Sequence, residues 1–213
     1  QNTELAKAES MRRDFSSNVS HEMKTPLQVI SGYAELMKGG VVPYEDCQKF
    51  GGLIYDEAQA MRGLIDDVLT LSKLDESAFD NEGVPIDFLG VAKSMAARLR
   101  SFAEEREVDV VVKGPGAYIS GNGSLADEMT YNLIENGIRY NHKGGKVTVE
   151  VDETVGADGK MMARMRVSDT GMGIPSDMRD KVFERFFRVD KSRSKETGGT
   201  GLGLAIVKHA VMY

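Results

Sequence analysis

The sequence has a single cysteine, no long apolar run and no excess of positive charge. Cys47 cannot form a disulfide within the chain, which favours a reducing compartment. No stretch of about 18 consecutive apolar residues occurs, so no membrane-spanning helix is predicted. Acidic residues outnumber basic ones, 33 to 27, and the net charge of −6 argues against nucleic acid as the main partner.

Several common catalytic signatures are also missing. The sequence contains no Walker A motif, no protein-kinase motifs and no spacing of ligand residues that is typical of a metal site. What remains is a composition ordinary for a soluble protein, 41% hydrophobic and 28% charged over 213 residues. This length accommodates one large or two small domains.

Residues 1–38 have the periodicity of one long helix with a single apolar stripe. Two residues correspond to about 200° of helical rotation, so His21 points away from Val19 and Met23, which both belong to the stripe. We therefore expect the imidazole of His21 to face solvent. The stripe residues repeat at intervals of three and four: Phe15, Val19, Met23, Pro26, Ile30, Tyr33 and Met37.

The neighbours of His21 suit it to nucleophilic chemistry. A free imidazole titrates near ~6.5, so much of it is neutral at pH 7 and has a lone pair for attack. Glu22 can accept the ring N–H, and Thr25 shares the same helix face. Pro26 removes one helical hydrogen bond and predicts a bend just after this pair. A plain coiled-coil spacer is the alternative, and it explains the stripe but not the bend or the His-Glu-x-x-Thr face.

A second helix is predicted to pack against the first. Gly39 and Gly40 should end the first helix, because paired glycines cap helices and Pro43 blocks continuation. The second helix, from about residue 44 to 76, then forms an antiparallel hairpin with the first. One hairpin buries only one side of each stripe, so we predict a homodimer with a four-helix bundle. The second stripe consists of Ile54, Ala58, Met61, Ile65, Val68 and Leu71.

The acidic, turn-rich residues 75–83 mark a boundary between domains 1–78 and 79–213. In the second domain, residues 121–126 match the dinucleotide fingerprint G-x-G-x-x-A, but we interpret them as a turn that opens a helix capped by Asn122 or Ser124. The chain is thus a helical hairpin followed by an α/β domain. Strands are predicted at 84–88, 108–113, 118–120, 146–152 and 161–168, and helices at 89–105, after 123 and at 204–212.

The helix after residue 123 has polar side chains suited to a nucleotide. Asn132 and Asn136 share a face, and their side-chain oxygens can bind a hard cation such as Mg²⁺. Arg139 can neutralise phosphate oxygens, and the ring of Tyr140 can pack against a base. A solvated face is the alternative for the asparagine pair taken alone, and the glycine-rich stretches downstream argue against it.

The first glycine-rich stretch follows the strand at 161–168. Asp169 can accept a hydrogen bond from an exocyclic amine such as that of adenine. Gly171 and Gly173 allow the backbone to approach a ligand closely. A plain turn is the alternative, because D-x-G-x-G alone is a weak signal.

The second glycine-rich stretch precedes the last helix, whose N-terminus can hold anionic phosphates together with the N–H groups of the loop. Residues 189–197 are charged and lack a hydrophobic pattern, as a mobile lid would. Arg188 or Lys191 can reach the γ-phosphate. The stretch itself consists of Gly199, Thr200, Gly201, Leu202 and Gly203.

Five stretches, in this order, resemble the motifs of sensor histidine kinases. Residues 20–27, Ser-His-Glu-Met-Lys-Thr-Pro-Leu, resemble the phospho-acceptor box S-H-E-L-[KR]-T-P-L and differ from it at Met23. The other four resemble the N, G1, F and G2 boxes of the Bergerat, or GHKL, ATP-binding fold. They span residues 132–140, 169–173, 183–187 and 199–203.

The resemblance implies a dimerisation and phosphotransfer domain, followed by an α/β sandwich that holds ATP with Mg²⁺ beneath a lid. It implies His21 as the phosphoryl acceptor, Glu22 as the base and Thr25 as the residue that orients a water for dephosphorylating the partner. The partner is an aspartate of a response-regulator receiver domain. The expected location is the cytoplasmic portion of a membrane-anchored bacterial receptor, which meets the membrane only through an N-terminal sensor region that precedes Gln1.

For the nucleotide, the resemblance implies Asn136 with Asn132 at Mg²⁺, Asp169 at the adenine amine and Tyr140 stacked on adenine. Two alternatives from other classes are a GHKL ATPase of chaperone or mismatch-repair type and a non-catalytic dimeric scaffold. The hydrolytic relatives usually have a catalytic Glu where Asn132 sits and need no histidine-bearing hairpin. A scaffold should have lost Asn136, Asp169 or the glycines, and all are present.

Besides Met23, the chain departs from the family pattern at three further places. Arg139 stands where Lys is commoner, which keeps the charge but alters phosphate geometry. Asn141 replaces a usual Ser or Thr, and the sequence suggests no function for it. The family normally continues with a further strand pair beyond the position of Tyr213, so we expect an exposed sheet edge.

Overall fold

The structure, a computed structural model, describes residues 2–76, 84–189 and 199–212. The chain divides into two compact units, residues 1–70 and 71–213. Most of the predicted boundary region, 75–83, lies outside the described residues, so the boundary after residue 78 stays a prediction. None of the helices in the described ranges is long and apolar enough to cross a membrane.

Two long helices form the first unit, as the apolar stripes predict. Helix α1 spans Asn2–Lys38, and helix α2 spans Cys47–Asp75, with its last turn in the second unit. A short 3₁₀ turn at Tyr44–Asp46 precedes α2. Gly40 takes a positive φ of 67° directly after α1, which is the backbone conformation that glycine adopts most readily at a helix end.

All seven stripe residues of α1 are partly buried, and α1 contacts α2 at an aromatic pair. The rings of Tyr33 and Phe50 meet edge to face, with centroids 5.4 Å apart. Among the described side chains of this unit only Leu64 is fully buried, whereas Ile65 of the predicted second stripe is 39% exposed. Further apolar side chains are exposed along both helices: Leu27, Leu36, Leu53, Tyr55 and Leu69.

An α/β domain forms the rest of the second unit. Its elements, in chain order, are β1 Pro85–Asp87, α3 Phe88–Arg98, α4 Arg100–Glu105, β2 Asp109–Lys113, β3 Tyr118–Ser120, α5 Gly123–Arg139, β4 Lys146–Val155, β5 Met161–Asp169 and α6 Gly203–Met212. Strands β2, β4 and β5 form a mixed sheet, in which β4 is parallel to β2 and antiparallel to β5. Strands β1 and β3 form a separate antiparallel pair. In the described part of the mixed sheet, β2 and β5 each pair on one side only.

The helix predicted over residues 89–105 is interrupted at Leu99. Leu99 has φ −87° and ψ 4°, so the chain leaves helical geometry there, and α3 and α4 are separate helices. The interruption has a packing consequence, because Met95, Leu99 and Ala103 are all buried in the core. A continuous periodic pattern in the sequence conceals this break.

Helices α3 and α5 pack on the three-stranded sheet and enclose the core. Val147 and Val151 alternate along β4 and are fully buried, as are Ile134 and Ile138 on one face of α5. A Cβ atom on Gly137 would lie 3.1 Å from the side chain of Val147, so glycine allows α5 to approach β4 closely. Each such buried aliphatic side chain contributes about 1.5–3 kcal/mol. This packing fixes the helix that carries the predicted nucleotide residues.

Candidate functional site

Helix α5 begins with a side-chain cap. The backbone of Asn122 is extended, and its side-chain oxygen accepts a hydrogen bond from the Leu125 N–H at 3.1 Å. This is the N-cap geometry that stabilises a helix start. The interpretation of residues 121–126 as a helix-opening turn is confirmed, with Asn122 as the capping residue.

Asn132 lies buried where α5 meets the start of α6. Its Nδ2 atom donates to the carbonyl oxygen of Glu128 at 3.0 Å and to Glu128 Oε1 at 3.2 Å. A Cβ atom on Gly203 would lie 2.5 Å from Asn132 Oδ1, which is closer than real Cβ contacts. The two helices therefore approach at a glycine, and Oδ1 is the atom that Asn132 presents to the first residue of α6. Asn136, one turn further along, is partly buried.

Arg139 is held by neighbouring side chains. Its guanidinium forms an ion pair with Glu135 at 2.7 Å, and the side chain is only 12% exposed. The guanidinium carbon also lies 5.4 Å from the centroid of the Phe102 ring, and Arg106 lies 3.8 Å from the same centroid. The sequence predicts that Arg139 contacts phosphate, and the structure adds a carboxylate and an aromatic partner that the sequence does not reveal.

Tyr131 lies beside Asn132 on α5, with Arg98 5.3 Å from its ring centroid. Burial raises the pKa of the Tyr131 hydroxyl, and the charge of Glu135 raises it further, against the opposing charge of Arg98. The phenol is therefore neutral at physiological pH, and it adds no negative charge next to the predicted phosphate site.

Three segments meet at Tyr140: the end of α5, the loop after β5 and the start of the second glycine-rich stretch. The Met172 N–H donates to the Tyr140 carbonyl oxygen at 3.2 Å, and a Cβ atom on Gly171 would overlap that same oxygen. Asp169 is exposed at the end of β5, and its Oδ1 accepts from the Gly171 N–H at 2.8 Å. A Cβ atom on Gly199 would lie 3.3 Å from the Tyr140 hydroxyl. Residues predicted from three separate motifs are thus brought together.

The sequence suggested no role for Asn141, yet it connects two of these motifs. Its side chain forms hydrogen bonds to Gly137 in α5, to Lys146 at the start of β4 and to Thr170 after β5. Thr170 is 29 positions away along the chain. A local pattern carries no signal for such a contact, and a polar residue directly after a helix end is the nearest indication.

The second glycine-rich stretch, residues 199–203, is hydrogen-bonded to the phenylalanine-containing segment 183–187 that precedes the predicted lid. Phe186 has a positive φ of 61° and Gly201 one of 73°, and the Phe186 N–H donates to the Gly201 carbonyl oxygen at 2.9 Å. The Leu202 N–H donates to Thr200 Oγ1 at 3.2 Å. Backbone hydrogen bonds thus hold the second glycine-rich stretch in place at the start of α6.

The structure describes some of the remaining predicted phosphate ligands. Arg188 is partly buried and interacts with its surroundings. Lys191 and most of the predicted lid, residues 189–197, lie outside the described residues. Gly173 has a positive φ of 69°, so this loop position favours glycine for its backbone.

His21 is exposed on α1, as predicted. The Thr25 hydroxyl donates to the His21 carbonyl oxygen at 3.4 Å, and the Ser20 hydroxyl donates to the Ser16 carbonyl oxygen at 2.9 Å. Helix α1 continues through Pro26 to its end. The predicted bend after Glu22 stays a prediction, as do the chemical roles of these side chains.

Two family models match the chain in succession. Residues 11–77 match the His Kinase A (phospho-acceptor) domain, and residues 121–213 match the Histidine kinase-, DNA gyrase B-, and HSP90-like ATPase family. The sensor-like histidine kinase SenX3 of Mycolicibacterium smegmatis is 35% identical over 97% of this chain, and the phosphate regulon sensor protein PhoR of Pseudomonas aeruginosa is 34% identical over 99%. The chain spans about half the length of these relatives, 53% and 47%.

Solved structures show the same fold. The Acinetobacter baumannii histidine kinase AdeS has a TM-score of 0.71 at 20% identity, covering 90% of this chain and 86% of that one. The histidine kinase ThkA, in a complex with the response regulator protein TrrA, has a TM-score of 0.68 at 17% identity, covering 86% of this chain and 53% of that one. Because both domain models match in order and the similarity to these sensor kinases extends over 97–99% of this chain, the chain belongs to the sensor histidine kinases.

Proposed function

We propose that this chain is a catalytic core that transfers the γ-phosphoryl group of ATP to His21, and from there to an aspartate of a response regulator. The observation that carries the proposal is the convergence of three predicted nucleotide motifs at Tyr140, in a domain of the ATPase family. The other domain belongs to the phospho-acceptor family and exposes His21. Together they supply a donor site and an acceptor.

The arrangement around Tyr140 supports a definite way of binding the nucleotide. Gly171 occupies one oxygen of the Asp169 carboxylate, which leaves the other oxygen to accept from the exocyclic amine of adenine. Tyr140 is 37% exposed at the end of α5, where its ring can stack on the base. The N-terminus of α6, with the N–H groups of residues 199–203, then binds the phosphates.

Asn132 and Asn136 are the residues that would hold Mg²⁺. Asn132 fits this role because both contacts of its Nδ2 atom are to Glu128, so its oxygen faces away from them toward the phosphate-binding end of α6. In the described part of the chain, no group of three or more His, Cys, Asp and Glu residues could hold a metal, so phosphate oxygens and water would complete the coordination. When bound, the ion neutralises phosphate charge and orients the γ-phosphoryl group.

The acceptor chemistry belongs to His21 and its neighbour. A lone pair on the neutral ring attacks the γ-phosphorus, an N–P bond forms, the bond to the bridging oxygen breaks and ADP leaves. The ring then carries an extra proton, and the carboxylate of Glu22 is proposed to accept it. Phosphoryl transfer depends mainly on positioning and charge neutralisation, so Arg139 and Arg188 are expected to affect the rate more than Glu22 does.

A substitution of His21 tests the proposal. The chain has three histidines, and His142 is also exposed, so His21→Gln and His142→Gln form a matched pair. Only His21→Gln should abolish acid-labile labelling from γ-labelled ATP, and both variants should bind ADP as the unsubstituted chain does. Labelling that persists in His21→Gln would refute the assignment. ATP hydrolysis without labelling in the unsubstituted chain would favour a GHKL ATPase, and absence of nucleotide binding would favour a scaffold.

We further propose that the core acts as a homodimer with a receiver domain as its substrate protein, and that it belongs to a membrane-anchored receptor. The exposed apolar side chains along α1 and α2 support the dimer, because Leu64 is the one buried side chain in the described part of residues 1–70, too little for a core of its own. Multi-angle light scattering should give the mass of a dimer at micromolar concentration. Thr25, four residues after His21, is proposed to orient water for dephosphorylation of the receiver.

A further inference from the structure

Every polar atom of the Asn141 side chain forms hydrogen bonds. Its Nδ2 atom donates to the carbonyl oxygens of Gly137 and Lys146, both at 3.1 Å. Its Oδ1 atom accepts from the Thr170 hydroxyl at 3.1 Å and from the His142 N–H at 3.0 Å. One carboxamide therefore joins the last turn of α5, the first residue of β4 and the residue after β5.

The partners of Asn141 determine which side chain can serve there. The two carbonyl oxygens that face Nδ2 can only accept, and the backbone N–H that faces Oδ1 can only donate. A carboxylate at this position would place a negative oxygen against two carbonyl oxygens. A serine hydroxyl has a single proton to donate. These partners therefore match an amide side chain, which donates from both N–H groups of Nδ2 and accepts at Oδ1.

Thr170 connects Asn141 to Asp169, its neighbour in sequence. The Lys146 N–H donates to Thr170 Oγ1 at 2.9 Å, and the Thr170 N–H donates to the Lys146 carbonyl oxygen at 3.1 Å. Asp169, the preceding residue, pairs in register with Val147 of β4. The position of the Asp169 carboxylate relative to the end of α5 is therefore set through Thr170 and Asn141.

We propose that Asn141 is a positioning residue that holds the Asp169 carboxylate in place relative to Tyr140 and so sets the preference of the site for adenine. The proposal rests on the proposed function, in which Asp169 accepts from the exocyclic amine and Tyr140 stacks on the ring. Asn141 adjoins Tyr140 in sequence but does not itself contact the base in this proposal. It acts on base selection through the backbone that carries both residues.

The test compares two nucleotides that differ at the atom Asp169 would bind. Inosine diphosphate has the ribose and phosphates of ADP but a carbonyl in place of the exocyclic amine. Calorimetry on the full chain should show ADP bound about 10-fold to 100-fold more tightly than inosine diphosphate, as expected for a hydrogen bond to a charged group. Asn141→Asp should reduce this ratio toward one, and Thr170→Val should reduce it because it removes the other end of the same hydrogen bond.

Asn122→Asp is the matched control. It makes the same chemical change at the cap of α5, where the side-chain oxygen accepts from the Leu125 N–H and a carboxylate is an equally favoured cap. Its ADP preference should equal that of the unsubstituted chain. If both Asn141→Asp and Thr170→Val keep the preference for ADP over inosine diphosphate, even with weaker binding of both nucleotides, the positioning role of Asn141 is wrong. The proposed contact of Asp169 with the amine would still stand. Equal affinities in the unsubstituted chain would overturn the proposed contact of Asp169 with the amine, and with it this proposal.

Discussion

Gly171→Ala is the substitution that most directly perturbs the convergence at Tyr140. The added methyl group would overlap the Tyr140 carbonyl oxygen and would also lie 2.9 Å from Asp169 Oδ1. The carbonyl belongs to the backbone at the end of α5, which is fixed by the core, so it cannot move aside as a flexible side chain would. The loop after β5 must therefore shift away from α5.

The size of the effect follows from two losses. A shift that relieves the overlap breaks the hydrogen bond from Met172 to Tyr140, which is already 3.2 Å long, and such a bond contributes about 0.5–1.5 kcal/mol. Forcing a methyl group into occupied space costs about 1–3 kcal/mol. The combined cost is about 1.5–4.5 kcal/mol. Because Asp169 is hydrogen-bonded to Gly171, much of this cost should weaken nucleotide binding. We expect a 10-fold to 100-fold rise in the Kd for ADP, at about 1.4 kcal/mol per tenfold change.

Titration calorimetry with ADP, combined with urea unfolding, separates this effect from general destabilisation. Gly114→Ala is the control, since a Cβ there would overlap the Val151 carbonyl oxygen and Gly114 has a φ of 120°, yet it lies between β2 and β3 and away from the proposed pocket. Gly114→Ala should lower the free energy of unfolding and leave the Kd of the folded protein unchanged. An unchanged Kd in Gly171→Ala would refute the reasoning, because the overlap would then be absorbed without moving the loop.

Two further predictions concern side chains outside the pocket. Phe102→Leu removes the ring that contacts Arg106 and Arg139, so the free energy of unfolding should fall by about 0.5–1 kcal/mol for each cation–π contact. Phe102→Tyr keeps the ring and serves as the control. Equal urea midpoints for the two variants would contradict this prediction. Burial lowers the pKa of His209 below its ordinary 6.5, and the charge of Arg185 lowers it further. The unfolded chain then takes up a proton that the folded chain resists, so stability should fall as pH drops through about 6.5, and His209→Gln should flatten this part of a urea-midpoint series between about pH 5 and 7.5.

Local patterns predicted the elements that local interactions determine. The periodicity of residues 1–38 gave helix α1 and the exposure of His21, because both depend only on helical spacing. The helix-opening turn was likewise predictable, with Asn122 or Ser124 as the cap, because the partner of a capping side chain is close in sequence; the partner of Asn122 is three residues away. The break at Leu99 was not, because it reflects how buried residues reach a core formed by distant parts of the chain.

Contacts between distant segments account for what the sequence missed in the site. Arg139 could be assigned a charge from the sequence, but its stacking on Phe102 depends on how α4 packs beside α5. The anchoring of Thr170 by Asn141 likewise requires β5 to end beside the last turn of α5. In the first unit, the pattern favoured Ile65 for burial where the structure buries Leu64, a difference of about 100° around the helix that periodicity alone cannot settle.

The two halves of the proposed reaction place opposite demands on their sites. An acceptor must be reachable, and His21 is exposed on α1, off the partly buried stripe. The nucleotide site instead depends on close backbone approaches, at Gly171 against Tyr140 and at Gly203 against Asn132. Substitutions at the acceptor should therefore remove chemistry and leave folding intact. Substitutions at the glycines should alter geometry first and lose chemistry as a consequence.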